Sequence, residues 1–460
     1  LSLALAAIML IGMMVVSACA VSYNDLTDKD QIVNKDAVSM LVSLGIIEGK
    51  PDGSYAPTEN VDRAQMAKML SVIMNKGVDN SALYQSVNSG LVDVNTNWAK
   101  GHINYCYTTG IIAGRGNGTF DPSATVTALE AAKMLLVAVG YDPAIEGFEG
   151  ADWAINVSVR ADEQGIFEGF TKDLSAPLNR DDAALLIYNA LDVEMIQSYT
   201  TNNYPIVYSD HRTILSDKYG VIKVQGVVVA NEWASLASDD GDAALKEGKT
   251  TIYNGEGIFS TTGNTTVSKE DASLKTQTLN VSTPVDMLGK TVNLYIKKTT
   301  ILADSTVYGD PVVSDVNTVV TTGETVLYSG AKDPQVDYDN LLGENGLTDK
   351  DAKYFWNYNS GKYIPNTTEK YGDKTANVKG ATLTIIDNNG DGEVDYVLSV
   401  EKALADITSV NSKKETVTVR TLGTLDNKDV VGYEDMAKED VVLYVQYGGR
   451  TYLEKPEVVT

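Results

Sequence analysis

Hydrophobic positions along this chain follow two different periods, and the change falls near Leu191. Before it, residues such as Ala64, Ala67, Met69 and Leu70 recur at the three- and four-residue spacing that puts apolar groups on one face of a helix. After it, short runs rich in Val, Thr and Tyr alternate between apolar and polar, as in Val221-Ile222-Lys223-Val224-Gln225-Gly226-Val227 and Thr291-Val292-Asn293-Leu294-Tyr295-Ile296. Gly, Asn and Asp separate these runs, which predicts antiparallel strands joined by turns. The chain therefore reads as multidomain, with a helical N-terminal part followed by mainly antiparallel β modules built as small barrels or sandwiches. One β module is expected over residues 205–300, a more irregular β-rich region over 301–402, and another module over 403–460. Met287 to Ile296 lines up with Met436 to Val445, a faint echo between the two modules. Thr460 carries no clear stop signal, which leaves room for further modules.

The helical part repeats itself. Gly45-Ile46-Ile47-Glu48-Gly49 recurs 65 residues later as Gly110-Ile111-Ile112-Ala113-Gly114. At the same offset, Asp52-Gly53-Ser54-Tyr55-Ala56-Pro57 becomes Asn117-Gly118-Thr119-Phe120-Asp121-Pro122, and Val61-Asp62-Arg63-Ala64 becomes Val126-Thr127-Ala128-Leu129. A third copy keeps Gly165-Ile166-Phe167-Glu168-Gly169 and Leu178-Asn179-Arg180-Asp181 but has lost the Asp-Gly turn. Val33, Trp98 and Trp153 each stand twelve residues before a Gly-Ile pair, so the register holds upstream. Each unit predicts a helix stopped by the glycine, a turn folded back over its end, and a second helix opening at Asp62, Thr127 or Asn179. One unit is too small to bury its own apolar face, so the three are expected to pack together.

Charge and rare residues narrow the chemistry. The chain has 62 acidic against 37 basic side chains, a formal charge of −25, and so acidic a surface repels phosphate backbones, which argues against nucleic acid as a partner. Leu1 to Val16 is apolar apart from Ser2 and Gly12 and is followed by Ser17-Ala18-Cys19-Ala20. This predicts an export signal over residues 1–20, with an A-x-A cleavage site. Val16-Ser17-Ala18-Cys19 also fits a lipobox, which would leave Cys19 lipidated rather than removed. No later run approaches the ~18 apolar residues of a membrane helix. Without the signal, Cys106 is the only cysteine, expected as a small core residue. His102 and His211 are the only histidines, so Ser-His-Asp and multi-His metal chemistry lack parts and the region reads as non-enzymatic.

The order Trp-Ala, Gly-Ile-x-x-Gly, Asp-Gly-x-aromatic-x-Pro, then an Arg-led helix, resembles the S-layer homology (SLH) domain over about residues 21–195, in units near 21–78, 88–140 and 146–195. The resemblance implies an all-α, pseudo-threefold spindle whose grooves hold a bacterial protein non-covalently on secondary cell wall polysaccharide, typically through a pyruvylated sugar. It implies a surface or S-layer location, with lateral self-assembly a natural role for the β modules. The family's Arg maps to Arg63 and Arg180 and is replaced by Ala128 in the second unit. An Arg at the first turn of a helix offers a forked cation beside free N–H groups, which suits a ketal carboxylate; it could equally bridge neighbouring prongs. Trp98 and Trp153 are candidates for stacking on a sugar ring, or for packing the spindle core.

A second candidate site is Asp387-Asn388-Asn389-Gly390-Asp391-Gly392-Glu393-Val394-Asp395. Asp387, Asn389 and Asp391 take positions one, three and five, with Gly392 at six, so with Asp395 they are candidate calcium ligands. Position twelve is Leu398, so the loop is not an EF-hand; a solvated hairpin turn without metal is the other reading. The functional alternative to a structural surface protein is a surface enzyme of glycosidase type, or an adhesin, anchored by the same repeats, with its active module beyond residue 460.

Overall fold

The computed structural model describes residues 23–236, 244–255, 275–297, 306–322, 338–360 and 381–456. The expected export signal lies outside the described residues. The N-terminal part carries the helices α1 Lys35–Ser43, α2 Arg63–Met74, α3 Lys100–Thr108, α4 Ala128–Val139, α5 Trp153–Glu163 and α6 Arg180–Leu191, two per unit. The first helix of each pair ends at a glycine in the left-handed region, with φ of 70° at Gly45, 78° at Gly110 and 69° at Gly165. The next N–H, of Ile46, Ile111 or Ile166, donates back to the carbonyl of Leu41, Cys106 or Ala161 at 2.9, 2.9 and 2.8 Å, a Schellman closure. The second helix opens on a side-chain cap: Asp62 accepts from Gln65 N–H, Thr127 from Glu130 N–H and Asn179 from Asp182 N–H.

What joins the units is a closed ring of three backbone hydrogen bonds just before these caps. Val61 N–H donates to Leu178 (2.8 Å), Leu178 N–H to Val126 (2.8 Å), and Val126 N–H to Val61 (2.9 Å). Each bond crosses from one unit to another, so no unit satisfies its own backbone there. The first helix of each unit packs on the second helix of the unit before it: α3 on α2, α5 on α4 and, closing the circle, α1 on α6. All three units share one apolar core, with Leu41, Leu70, Leu136 and Ile187 at its centre. The three units pack in a ring around this core, but the region is not wholly helical. Extended bridges at Asn60–Asn179, Asp62–Thr125 and Thr127–Pro177 form because residues preceding an N-cap are extended and must pair.

A short hairpin, β1 Ile196–Tyr199 with β2 Pro205–Val207, leads into three sheets. The first contains β3 Val221–Asn231, β4 Thr250–Tyr253, β5 Thr276–Leu279, β6 Thr291–Lys297 and β7 Val307–Val313, in the order β5-β4-β3-β6-β7, all antiparallel. The second contains β8 Thr318–Thr322, β9 Lys353–Trp356, β10 Asn359–Ser360, β11 Ala381–Asp387 and β12 Tyr396–Glu401, in the order β10-β9-β12-β11-β8; β9 runs parallel to β12, and α7 Tyr338–Glu344 precedes β9. The third contains β13 Ala403–Asn411, β14 Thr416–Val419, β15 Gly423–Asp426, β16 Val430–Val431, β17 Val441–Tyr447 and β18 Arg450–Glu454, in the order β15-β14-β13-β17-β18-β16. Removing β16 leaves the strand order of the first sheet, so the echo seen in the sequence is a shared topology. Among the described residues each is an open sheet rather than a closed barrel. The first two pack face to face, Val224 and Leu294 sharing a core with Phe355, Ile386 and Tyr396, as in a sandwich.

The first sheet is docked on the spindle along the seam between units three and one. Gly309 of β7 lies so close to α1 that a Cβ there would sit 3.3 Å from Met40 Cα. Ser39 Oγ donates to Asp310 Oδ2 at 3.2 Å, Tyr188 meets Tyr295 edge-to-face, and Lys223 pairs with Asp192 at 3.4 Å.

Candidate ligand grooves

Groove one, of about 510 Å³, runs between units two and three. Arg63, at the first position of α2, reaches across from unit one to form its floor. Its Nε donates to Phe120 carbonyl at 2.8 Å, an Nη donates to Ala113 carbonyl at 3.0 Å, and the guanidinium lies 4.4 Å from the centre of the Phe120 ring. Arg63 is buried, and that burial together with Arg115 nearby pulls its pKa down to about 10. Glu130 at the third position of α4 accepts from Arg115 at 2.8 Å and sits 3.8 Å from Arg63, so one carboxylate faces two guanidinium groups. Lys133, one turn further along α4, donates to Phe148 carbonyl at 2.6 Å and stands 5.7 Å from the centre of the half-buried Trp153 ring. Burial lowers the Lys133 pKa, and the Glu149 carboxylate in the same groove opposes that shift. Groove one thus sets an ammonium and two guanidinium groups, with the Glu130 and Glu149 carboxylates, beside an indole face.

The same four positions recur in groove two, between units one and two. Arg180 takes the place of Arg63; its Nε donates to Tyr55 carbonyl at 2.7 Å and its guanidinium lies 4.9 Å from the Tyr55 ring centre. Its Nη groups have no partner among the described residues. Lys50 stands where Arg115 does, Lys68 where Lys133 does, and Trp98 where Trp153 does. Here Lys50 is paired with Glu59 at 2.5 Å and Lys68 with Glu48 at 3.3 Å. In the third seam the four positions hold Ala128, Phe170, Leu185 and Val33, with no charge among them.

The structure thus brings Arg63 and Trp153 into one groove and places Arg180 and Trp98 at corresponding positions of another. Trp98 is 58 % exposed and does not pack the core. Sequence reasoning missed Lys50, Lys68, Arg115 and Lys133, although the 65-residue offset that exposed the repeat also superimposes these pairs. It missed a further cluster as well: buried Ser71 Oγ lies 2.6 Å from buried His102 Nδ1, and Oδ2 of the exposed Asp79 lies 3.7 Å from His102 Nε2. Ser71 is too buried for a nucleophile that must meet a substrate. Cys106 is fully buried, and its thiol is pushed far above the ordinary range by that burial.

The Asp387 loop closes the β11–β12 hairpin. Buried Asp387 accepts N–H groups from Asn389 (3.1 Å), Gly390 (2.7 Å) and Gly392 (2.9 Å), while Asp395 accepts from Asn388 N–H at 2.8 Å. Asn389 and Asp391 cap further loop N–H groups at 2.9 and 2.8 Å. Among the described residues no three His, Cys, Asp or Glu side chains are placed to share one metal ion.

The S-layer homology domain profile matches residues 22–67 and 92–132, in the first and second units. The chain is similar to a cell surface protein of Thermoanaerobacter kivui (28% identity over 253 residues, 54% of this chain and 30% of that protein). It is also similar to an S-layer protein of Bacillus licheniformis (32% over 113 residues, 25% of this chain and 12% of that protein). An amylopullulanase of Thermoanaerobacterium thermosulfurigenes matches at 30% over 186 residues, 37% of this chain and 10% of that protein. The chain therefore spans 30% or less of the length of these relatives. It carries S-layer homology repeats, and among the described residues no helix is long and apolar enough to cross a membrane.

Proposed function

We propose that this cell-surface protein is held non-covalently on bacterial cell wall polysaccharide by grooves one and two, each taking one carboxylate-bearing, pyruvylated sugar. One observation carries the reading: a cation at a helix start, a cation in the loop, a cation one turn into the helix and an indole occur together twice, in symmetry-related grooves. The ketal carboxylate would meet Lys133 and Arg115 in groove one, and Arg180, Lys50 and Lys68 in groove two, with Trp153 or Trp98 against the sugar face. The β sheets then form the structural, outward part of a surface layer. Sedimentation of the full chain with purified walls tests the anchoring. Co-sedimentation that disappears once the secondary polymer is stripped supports it; equal binding to stripped walls overturns it.

A second reading is favoured by the matches to relatives named as an exoglucanase and an amylopullulanase: the same anchor displaying a surface glycosidase. A hydrolytic activity of the native protein on polysaccharide would establish it.

A further inference from the structure

Behind groove two lies a proton-binding cluster that groove one lacks. His102 is 4 % exposed and lies beside two of the groove-two residues, Trp98 and Lys68. Its ring packs against Trp98, centroids 6.3 Å apart, and its Nδ1 is 2.6 Å from Ser71 Oγ. Ser71 in turn lies 2.9 Å from the carbonyl of Lys68, its hydroxyl placed to donate there. The charged groups facing His102 are Lys68 from α2 and Asp79 from the loop that follows it; Tyr84, from the turn packed on α3, meets Tyr105 instead.

The neutral ring cannot serve all of these contacts. An imidazole carries one N–H. With that proton on Nδ1, Ser71 keeps its bond to Lys68, but a lone pair on Nε2 faces the Asp79 carboxylate 3.7 Å away. With the proton on Nε2, the Ser71 hydroxyl must turn to Nδ1 and abandon Lys68. Imidazolium satisfies both sides at once, and it brings a second positive charge close to Lys68. The corresponding positions behind groove one are Leu136 for Ser71 and Val157 for His102, neither of which titrates.

We propose that His102 makes groove two, and not groove one, a pH-responsive anion site, binding more tightly as His102 takes up a proton. This rests on the wall-polymer reading of the grooves. By linkage, an anion that prefers the protonated form must also raise the affinity of His102 for its proton. Burial holds the free imidazolium below its ordinary range, so the gain falls in mildly acidic conditions, below pH ~6.5.

The test uses the full chain and follows the ring protons of His102 and His211, the only two histidines, by NMR. The probe is a methyl hexopyranoside carrying a 4,6-pyruvyl ketal. In a Lys133→Ala background, which disables groove one, saturation should raise the His102 titration midpoint by about 0.7 unit, the equivalent of a fivefold gain in affinity between its protonation states. His211 should not move, and His102→Gln should make groove-two affinity independent of pH between 7.5 and 5.5. A His102 midpoint unchanged at saturation overturns the proposal. In the free protein, Lys68→Met should raise the midpoint and Lys133→Met should leave it alone. An unmoved His102 in Lys68→Met refutes the coupling even if the saccharide fails to bind, a failure that counts against the wall-polymer reading instead.

Discussion

Arg180 and Tyr55 hold each other by both ends: Arg180 Nε donates to the Tyr55 carbonyl at 2.7 Å, and the Tyr55 hydroxyl donates to the Arg180 carbonyl at 2.6 Å. Arg63 and Phe120 repeat the first half of this embrace, but phenylalanine has no hydroxyl to return. Both arginines therefore stitch neighbouring units together before any ligand arrives, and they differ in what they have left over. Arg63 also spends an Nη on Ala113 and is buried, whereas Arg180 is partly exposed with its Nη groups turned to no described partner.

Arg63→Ala should accordingly act on stability first. It removes one hydrogen bond to the buried Phe120 carbonyl, leaving that acceptor unpaired, and one to the carbonyl of exposed Ala113, a cost of about 1–3 kcal/mol by denaturant unfolding. Arg180→Lys should keep most of the stability and weaken anion binding, since an ammonium cannot reproduce the fork.

Lys133→Ala should do the reverse of Arg63→Ala. It removes a charge-assisted contact to an anion, worth about 1.5–3 kcal/mol, so affinity measured by calorimetric titration at groove one should fall at least tenfold. Thermal stability should fall by less than in Arg63→Ala, because one hydrogen bond, to the Phe148 carbonyl, is lost rather than two.

Glycine substitutions separate backbone strain from crowding. Gly110 has φ of 78° and nothing within 4 Å of a built Cβ, so Gly110→Ala should cost only the left-handed penalty, about 1–2 kcal/mol. Gly77 shares that φ, but a Cβ there would lie 2.4 Å from the Leu44 carbonyl oxygen. Gly77→Ala should lower the melting temperature distinctly more.

His102 also fixes a sign for stability against pH. Burial depresses its pKa in the folded chain, so the unfolded chain binds the proton first as pH falls. Stability contributed by neutral His102 is complete above pH ~6.5 and is lost as pH drops from there through the lower folded value. His102→Gln should flatten that part of a melting-temperature profile.

Asp387→Ala should destabilise the hairpin in EDTA as much as in calcium, by about 1–3 kcal/mol, because three loop N–H groups lose their acceptor. A loss seen only with calcium present would make Asp387, Asn389, Asp391 and Asp395 a metal site.

Local chemistry made much of this legible in advance. Gly-Ile pairs, N-cap side chains and the 65-residue offset specify helix ends and unit boundaries, because caps and left-handed turns are decided within a few residues. The cross-unit ring through Val61, Val126 and Leu178 was not legible: any extended residue can form such bonds, and which partner it meets depends on packing of the whole spindle. Trp98 and Trp153 look alike in sequence, yet one is mostly exposed and the other half-buried beside Lys133, since their surroundings come from different units. The His102 cluster was invisible for the same reason; Ser71, Asp79 and His102 carry no shared spacing.

Binding stoichiometry tests the groove assignment most directly. Calorimetric titration of the full chain with the pyruvyl-ketal glycoside should find two sites, reduced to one by Lys133→Ala or by the double substitution Arg180→Ala, Lys68→Ala, and to none by all three together. A third site, or two sites that survive the combined substitution, would contradict the assignment of binding to the two cationic grooves.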